Sequence, residues 1–525
     1  MEEPSSQSLS QLARLVVSAF EKTELAPLGK RITVNPIVSK FASVYEKVRN
    51  AMEYREDEVV IRSTIERILK RRLLLGGNAK TTAEPLIREL LWARYLPENA
   101  IPESIIPRVE EAIDLYLALR LQVLAQHRMS DGSINQWIYH LMSSEIEHIL
   151  NPHHGKEIIS NFMFQVLRDD VTILDDTEQT RDVQVFIAIR KAFARDDLAF
   201  LRYHLFTQYF GELSRENLSY VVEHFPDGQL EIMHQLMYPA KDRIYTYVKR
   251  RTAVFLILED VLEAHKDNLF ALVENEQSLR EAVFTAAEVR YKSISSKVKR
   301  AIVRSVAFIL MTKVAFAFAV EGTYERLFYG HILWTSMLIN ITIPPTLMII
   351  VSLFIRTPGN DNTELIYKYV NKLLHEESPR LGSGLTVQKT PKKGGTVDMV
   401  FNILWVLAFV LSFGAVVFVL TKLHFNPVSQ LVFLFFLAIV SFLTYRIGLT
   451  ANLFTVGEKQ GLLTPVIDFL FMPVVRVGRK LTQTVSQVNF LLFVFDFFIE
   501  TPFKLLFAFF EQWFYFLHSK SEELG

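Results

Sequence analysis

The sequence contains no cysteine, which excludes disulfide bonds, thiolate metal sites and cysteine nucleophiles. It has no excess charge of either sign, because 57 basic residues balance 57 acidic ones, so we expect no nucleic-acid partner. The opening MEEPSSQSLSQ is acidic and polar, unlike the basic and apolar start of a secretory signal. P-loop, dinucleotide-binding, nucleophile-elbow and H-E-x-x-H zinc motifs are also lacking. We therefore expect a protein that is not an enzyme and carries no cofactor.

Apolar residues are what the chain has in abundance, since they make up half of its 525 positions. Up to Arg300, charges are interspersed with apolar residues at helical spacing, as in Val59–Leu75 and Arg108–Leu124. Clusters of Gly, Pro and polar residues separate these stretches, and no alternating strand pattern is found. The pattern predicts an all-α cytoplasmic domain over residues 1–295.

Four apolar segments follow, each close to the roughly 20 residues that a helix needs to cross the hydrocarbon core of a bilayer. They predict a polytopic α-helical membrane protein with two transmembrane hairpins, at residues 296–356 and 398–446. The expected spans are residues 301–320, 332–355, 399–420 and 428–445.

Two further regions border these hairpins. The segment 357–397 is rich in Gly, Ser, Pro and Lys, which predicts a flexible basic loop. Residues 447–525 are expected to form amphipathic helices at the membrane interface, followed by a short polar tail.

Basic residues near the spans predict the orientation, because short cytoplasmic loops carry an excess of Lys and Arg. Basic segments precede the first span and follow the second and fourth, whereas the opposite loops hold only Arg326 and Lys422. The N-terminal domain, the middle loop and the C-terminus are therefore expected in the cytoplasm, with the spans in the plasma (inner) membrane. The residues expected at the membrane surface are Lys297, Lys299, Arg300, Arg304, Arg476, Arg479 and Lys480.

The stretch Val488–His518 is dense in phenylalanine but contains polar residues at helical spacing. At about 100° per residue these residues fall within roughly 80° of one another and form one polar stripe. The favoured interpretation is a helix lying in the interface with its stripe in water. The alternatives are a re-entrant or spanning helix whose stripe lines a polar path, and packing against the protein's own domain. The stripe consists of Asn489, Asp496, Glu500, Lys504 and Glu511.

Lys313 lies in the middle of the first expected span, where its side chain would reach the membrane surface only under strain. An ionisable group inside a span is by default a candidate functional residue. Glu321 follows on roughly the same side of the helix. The simpler interpretation is a packing contact, in which Lys313 pairs with Glu321 or with a backbone carbonyl.

The second expected span contains NITIPP, with Asn340, Pro344 and Pro345. Two consecutive prolines remove backbone donors, so they predict a helix break, which in transporters exposes backbone groups to a substrate. An ordinary proline kink is the alternative.

Two Glu-x-x-His pairs occur in predicted helices, Glu145 with His148 and Glu231 with His234. Pairs of this kind supply ligands in di-metal helical bundles. Both pairs lie close to expected helix ends, however, and roughly one is expected by chance in a chain of this composition. We therefore expect no metal and regard these four residues as weak candidates.

The predicted helix within Val59–Leu75 carries basic and acidic residues together. Mixed signs favour a solvated, salt-bridged face over a nucleic-acid groove. Its basic residues are Arg62, Arg67, Lys70, Arg71 and Arg72.

These observations favour a membrane-anchored scaffold, whose helical domain binds a protein partner or a second copy while the remainder grips the lipid bilayer. The alternative is a channel or transporter subunit that uses Lys313, the Pro344–Pro345 break and the stripe of Asp496, Glu500 and Lys504. A membrane-bound enzyme acting on lipids, or a di-metal oxidase, is a further alternative.

Overall fold

The computed structural model describes residues 8–21, 29–36, 38–40, 42–43, 46, 59–74, 76–127, 130–332, 334–389, 395–457, 464–486, 509–510, 512–513 and 516–517. These residues form 19 α-helices and one sheet of two short strands, so the predicted helical class is confirmed. The chain divides into two compact units. We call Ser10–Thr252 with Glu377–Thr390 the helical unit, and Ala253–Glu376 with Pro391–Asn489 the span unit.

The helical unit contains ten helices and both strands among the described residues. They are α1 (Gln11–Glu21), α2 (Val60–Leu74), α3 (Ala79–Trp92), α4 (Ile106–Gln126), α5 (Asp131–Leu150), α6 (His154–Leu167), β1 (Val171–Ile173), α7 (Glu178–Ile189), α8 (Leu198–Phe210), α9 (Leu218–Leu236), α10 (Lys241–Lys249) and β2 (Leu385–Val387).

Polar caps mark where several of these helices begin. The Asn78 side chain accepts a hydrogen bond from the Thr81 backbone N–H, and Thr81 returns one, which forms a capping box at α3. The Asp197 carboxylate accepts from two backbone N–H groups at the start of α8. The apolar faces of these helices pack together into one continuous hydrophobic core, which is formed by α2 to α5 and by α8 and α9.

Strand β2 joins the helical unit from a distant part of the sequence. It pairs in parallel with β1, and Val171 lies opposite Leu385. The Lys389 backbone N–H donates to the Asp175 carboxylate, and Lys389 Nζ lies 2.9 Å from Asp176 Oδ2. The predicted flexible loop 357–397 therefore differs from the structure, because it contributes this strand to the helical unit.

The span unit contains nine described helices. They are α11 (Thr252–Ala264), α12 (Leu269–Glu274), α13 (Glu276–Phe316), α14 (Thr323–Tyr329), α15 (Trp334–Ser352), α16 (Asn360–His375), α17 (Gly395–Lys422), α18 (Pro427–Ala451) and α19 (Thr464–Ser486). A π-helical turn, Ala317–Gly322, joins α13 to α14, so that Glu276–Tyr329 forms one 54-residue helical stretch.

Three helices of the described chain are long and apolar enough to cross a membrane, namely Glu276–Tyr329, Met399–Lys422 and Pro427–Ala451. The apolar part of α15, Met337–Ser352, is shorter. In the most apolar window of Met399–Lys422 only 11% of the residues are buried, so most of its apolar surface is available to lipid. Helices α13, α15 and α18 pack against one another.

Three expected boundaries differ from the structure. Helix α13 runs without interruption through the predicted domain boundary at residue 295, and the division into units falls at Thr252 instead. The predicted loop also contains the 16-residue helix α16, which Asn362 anchors by donating to Phe454 O and accepting from the Val456 N–H. Its buried face, with Ile366, Val370, Leu373 and Leu374, does show helical spacing, but the Gly-, Ser- and Lys-rich composition of the residues that follow it favoured a loop for the whole segment.

The third difference is the predicted helix break. Helix α15 continues through Pro344 and Pro345 as a single element. The prolines leave the carbonyl groups four residues earlier without their usual helical donors, but neighbouring helices hold the segment in place.

Candidate functional site

The charged residues of the first apolar helix meet inside the span unit. Lys313 Nζ lies 3.0 Å from Glu321 Oε1, and the two side chains are 0% and 1% exposed. In a regular α-helix, two side chains that are eight residues apart point in directions that differ by roughly 80° around the helix axis. The π turn that contains Glu321 closes wider i→i+5 hydrogen bonds and takes back part of that rotation. It therefore turns the carboxylate toward the ammonium group.

Asn340 of α15 completes this pair from a second helix. Its Nδ2 donates to Glu321 Oε2 at 2.5 Å and to the backbone carbonyl of Ser429 at 3.3 Å, and its side chain is fully buried. Both oxygens of the Glu321 carboxylate thus have a partner. The Asn340 Oδ1 and Ser429 Oγ atoms are buried without one.

A second carboxylate lies one turn further along the same helical stretch. Glu325 Oε1 accepts from Asn426 Nδ2 at 2.8 Å, and both side chains are buried. Asn426 also caps α18, because its Oδ1 accepts from the Ser429 N–H at 2.8 Å. The cap fixes the Asn426 side chain, so the amide reaches Glu325 in a defined position.

Aromatic and aliphatic side chains close this cluster. The Lys313 Nζ lies 4.8 Å from the centre of the Phe436 ring, and Phe316 packs edge-on against the same ring. We call Lys313, Glu321, Glu325, Asn340, Asn426 and Ser429 the span cluster. The charges of Lys313 and Glu321 compensate each other, and the Asn426 amide donates to the Glu325 carboxylate; such partners make ionisable groups tolerable among apolar helices.

Helix α19 belongs to the region predicted to lie at the membrane interface. It packs against α17 and α18, and a Cβ atom built on Gly478 would lie 1.9 Å from the Ala438 carbonyl oxygen. Ala438 is near the middle of the candidate span α18. The Arg476 guanidinium lies 5.6 Å from the centre of the Trp405 ring of α17. This part of the region therefore packs along the candidate spans.

The other predicted membrane-surface residues are exposed on two helices of the span unit. Lys297, Lys299, Arg300 and Arg304 are exposed on α13, and Arg479 and Lys480 are exposed on α19. The residues of the predicted polar stripe lie outside the described residues. They are Asn489, Asp496, Glu500, Lys504 and Glu511.

The helical unit contains a second buried cluster around Arg190. Its guanidinium donates to Asp196 Oδ2 and Glu157 Oε1, each at 2.7 Å, and to His204 Nε2 at 2.6 Å. Arg190 begins a π-helical turn, Arg190–Ala194, and Arg195 closes that turn with a positive φ of 60°. The same His204 Nε2 also lies 3.3 Å from Asp196 Oδ2, so the imidazole joins the guanidinium and the carboxylate in one cluster.

A polar network continues from this cluster toward α2. Arg62 is 3% exposed and donates to Glu66, Asp197 and Ser143. Burial alone would raise the pKa of Glu66, but Arg62 and Lys70 hold it at about 2. The predicted salt-bridged face is present at Arg62, which pairs with two carboxylates, but the predicted solvation is wrong there because the side chain is buried.

His140 of α5 is a neutral member of the same network. Burial lowers its pKa to about 4. Its Nδ1 accepts from Arg202 Nη1 at 3.0 Å, which leaves the Nε2 hydrogen toward Glu66.

The two Glu-x-x-His pairs do not form a metal site in the structure. Glu145 is hydrogen-bonded to Tyr203, and Glu231 accepts from Gln235. His148 lies at the cavity described below, whereas His234 lies near the end of α9. Over the part of the chain that the structure describes, no three His, Asp or Glu side chains are grouped so that they could hold a metal ion.

A small cavity of about 40 Å³ borders the Arg190 cluster. Its wall includes Glu147 and His148 from α5, Lys156 from α6, and Tyr203 from α8. Burial raises the pKa of Glu147 to about 8, and its Oε2 atom has no hydrogen-bond partner. No sequence motif marks this cavity, because its residues come from separate helices and meet only through tertiary packing.

Comparisons with protein-family models, with curated proteins and with solved structures found no match to this chain. The function must therefore be argued from the two clusters themselves.

Proposed function

We propose that the chain is a multi-pass membrane protein that acts as an anchored interaction module, and that the span cluster locks its membrane helices together. The three long apolar helices support the membrane location. The helical unit, on this proposal, lies in the cytoplasm and presents its surface to a protein partner or to a second copy.

The observation that carries the proposal is that the buried charges of the span cluster pair with each other. Lys313 and Glu321 are almost fully buried, and they pair with each other rather than with an open polar path. Breaking such a pair costs about 3–5 kcal/mol because an uncompensated charge remains, whereas removing both charges costs much less. If the pair holds the helices together, each single substitution should therefore destabilise the protein more than the double substitution does.

The test compares Lys313→Met, Glu321→Gln and the double variant of the full chain in nanodiscs. Each single variant should unfold at a markedly lower temperature, and the double variant should recover most of the loss. Lys422→Met, at an exposed lysine of the same unit, is the matched control and should have little effect.

The same variants separate the lock from the channel or transporter alternative. A transport role predicts that the double variant, although stable, loses an ion or solute flux that the unaltered chain supports in proteoliposomes. A stable double variant with the same background flux as empty vesicles supports the lock. A double variant no more stable than the singles contradicts it.

The proposed orientation is tested with single cysteines, because the native chain has none. Ser296→Cys and Thr421→Cys place an exposed thiol on α13 before the apolar stretch and near the end of α17. An impermeant thiol reagent should label position 421 in intact cells and position 296 only after permeabilisation. The reverse pattern would place the helical unit outside.

The interaction role is tested by measuring the assembly state of the full chain in membranes. Cross-linking followed by mass spectrometry should give reproducible links from the helical unit to a second copy or to one protein. A chain that stays monomeric, with cross-links only within itself, would contradict the role.

A further inference from the structure

The cavity beside Arg190 has the features of a built binding site. A cavity of about 40 Å³ has room for roughly three water-sized groups. It lies where two backbone irregularities coincide, the π turn Arg190–Ala194 and the left-handed Arg195. Such irregularities concentrate at functional sites.

Glu147 is the unpaired group of this cavity. Its side chain is only 2% exposed, and Oε2 makes no hydrogen bond. A buried polar atom without a partner is unfavourable, so a ligand that donates a hydrogen bond to Oε2 relieves that penalty. The charged groups that act on Glu147 are Arg62 of α2, Lys156 of α6, and Asp196 and Asp197 before α8.

The cationic groups near Glu147 are already engaged. Arg190 donates to three partners, and Arg62 donates to Glu66, Asp197 and Ser143. Lys156 is the exception: it is half-buried, lines the cavity and lowers the pKa of Glu147 by its charge, but no hydrogen bond joins the two in the described structure. Glu147 therefore has no described protein cation bonded to it.

The remaining lining groups accept hydrogen bonds or offer aromatic faces. Burial lowers the pKa of both His148 and His153, which favours neutral imidazoles; the Nε2 of His153 is in contact with the Asn151 amide at 3.2 Å, so His148 is the histidine with a ring nitrogen to offer. Phe200 and Tyr203 add aromatic rings, whose faces attract cations. Acceptors and aromatic faces together with one unpaired carboxyl group suit a ligand that is small, positively charged and rich in N–H donors.

We propose that this cavity binds a small primary ammonium ion, held by the Glu147 carboxylate and covered by Phe200 and Tyr203. The ammonium group supplies the missing donor to Oε2 and compensates the charge that Glu147 acquires when it ionises. Its volume matches the cavity, whereas a metal ion lacks a set of three grouped ligands in the described chain.

The test measures binding of radiolabelled methylammonium to the full chain in nanodiscs by equilibrium dialysis. We expect saturable binding of one ion per chain at about pH 9 and about a hundredfold weaker binding at about pH 6. The reason is that the ionised fraction of Glu147 falls about tenfold for each unit below its pKa of about 8.

Variants identify the residues responsible. Glu147→Gln should abolish binding, and Phe200→Leu should weaken it by a few fold through loss of the aromatic face. Glu231→Gln removes a carboxylate on α9 outside the cavity and should bind like the unaltered chain. Circular dichroism and elution volume must be unchanged in each variant that is scored.

Three outcomes would overturn the proposal. They are no saturable binding at about pH 9, equal binding by Glu147→Gln, and competition by tetramethylammonium as strong as that by unlabelled methylammonium. The last would show general attraction of cations, because tetramethylammonium has no N–H group to donate.

Discussion

The two units bury charge next to a π-helical turn in opposite ways. In the span unit one lysine meets one carboxylate, and asparagine side chains provide the remaining hydrogen bonds. In the helical unit Arg190 meets two carboxylates and an imidazole beside a cavity. Among the apolar helices one ion pair and buried amides satisfy the charged groups, whereas a unit with polar helices can extend its network to the surface.

The strongest way to break this comparison is to remove Arg190. Arg190→Met leaves Asp196 and Glu157 without their cation, so we expect a loss of about 3–5 kcal/mol in the free energy of unfolding. Arg88→Met, which affects an exposed pair with Glu84, should cost at most about 0.5 kcal/mol. Denaturant unfolding of the full chain, followed by circular dichroism, measures both. Equal losses of unfolding free energy in Arg190→Met and Arg88→Met would contradict a stabilising role for the buried Arg190 ion pairs.

The pH dependence of stability should also separate the units. Glu147 is protonated in the folded state up to its pKa of about 8, whereas its ordinary value is 4.5. Its contribution is therefore complete below pH 4.5 and is lost as the pH rises through 8, since the unfolded chain binds fewer protons in this window. With about 1.4 kcal/mol for each pKa unit, the loss is of the order of a few kcal/mol.

Thermal unfolding between these pH values, with and without Glu147→Gln, tests that expectation. The variant should remove most of the decline on the alkaline side. His140 gives an independent reference on the acid side, because its lowered pKa makes stability fall as the pH drops from 6.5 through about 4. A decline that Glu147→Gln leaves unchanged would assign the pH dependence to other groups.

A smaller difference is expected from the two glycines that lie closest to a neighbouring helix. A Cβ atom on Gly478 would meet the backbone of Ala438, whereas one on Gly228 would meet the Phe210 ring at 2.4 Å. A ring can rotate aside more easily than a backbone, so Gly478→Ala should cost more than Gly228→Ala within the range of about 1–3 kcal/mol. Gly448→Ala, with nothing within 4 Å, is the control for the span unit.

The helices and the apolar stretches could be predicted because their signals are periodic and long. The contact between Lys313 and Glu321 was among the possibilities that spacing alone suggested. Asn340 was singled out for the prolines that follow it, yet in the structure its amide supports Glu321. Sequence patterns do not say which neighbouring helix a side chain will face.

The Arg190 cluster could not be predicted, because RKAFARDD resembles an exposed charged turn. Its partners Glu157 and His204 lie on other helices, and only tertiary packing brings them together. Strand β2 was missed for a different reason: three residues in a Gly- and Lys-rich segment carry no measurable alternation.

The pairing of β1 with β2 also determines the order in which the protein can be made. Asp175 and Lys389, which hydrogen-bond beside the sheet, are 214 residues apart. At about 5–20 residues per second, a ribosome needs roughly 10–40 seconds to synthesise the chain between them. The apolar helices within Glu276–Tyr329 and Trp334–Ser352 are synthesised during that interval, so on the proposed membrane location insertion begins before the helical unit receives its last strand. During translation, an unfilled strand edge at β1 is therefore open to chaperones or to a neighbouring nascent chain.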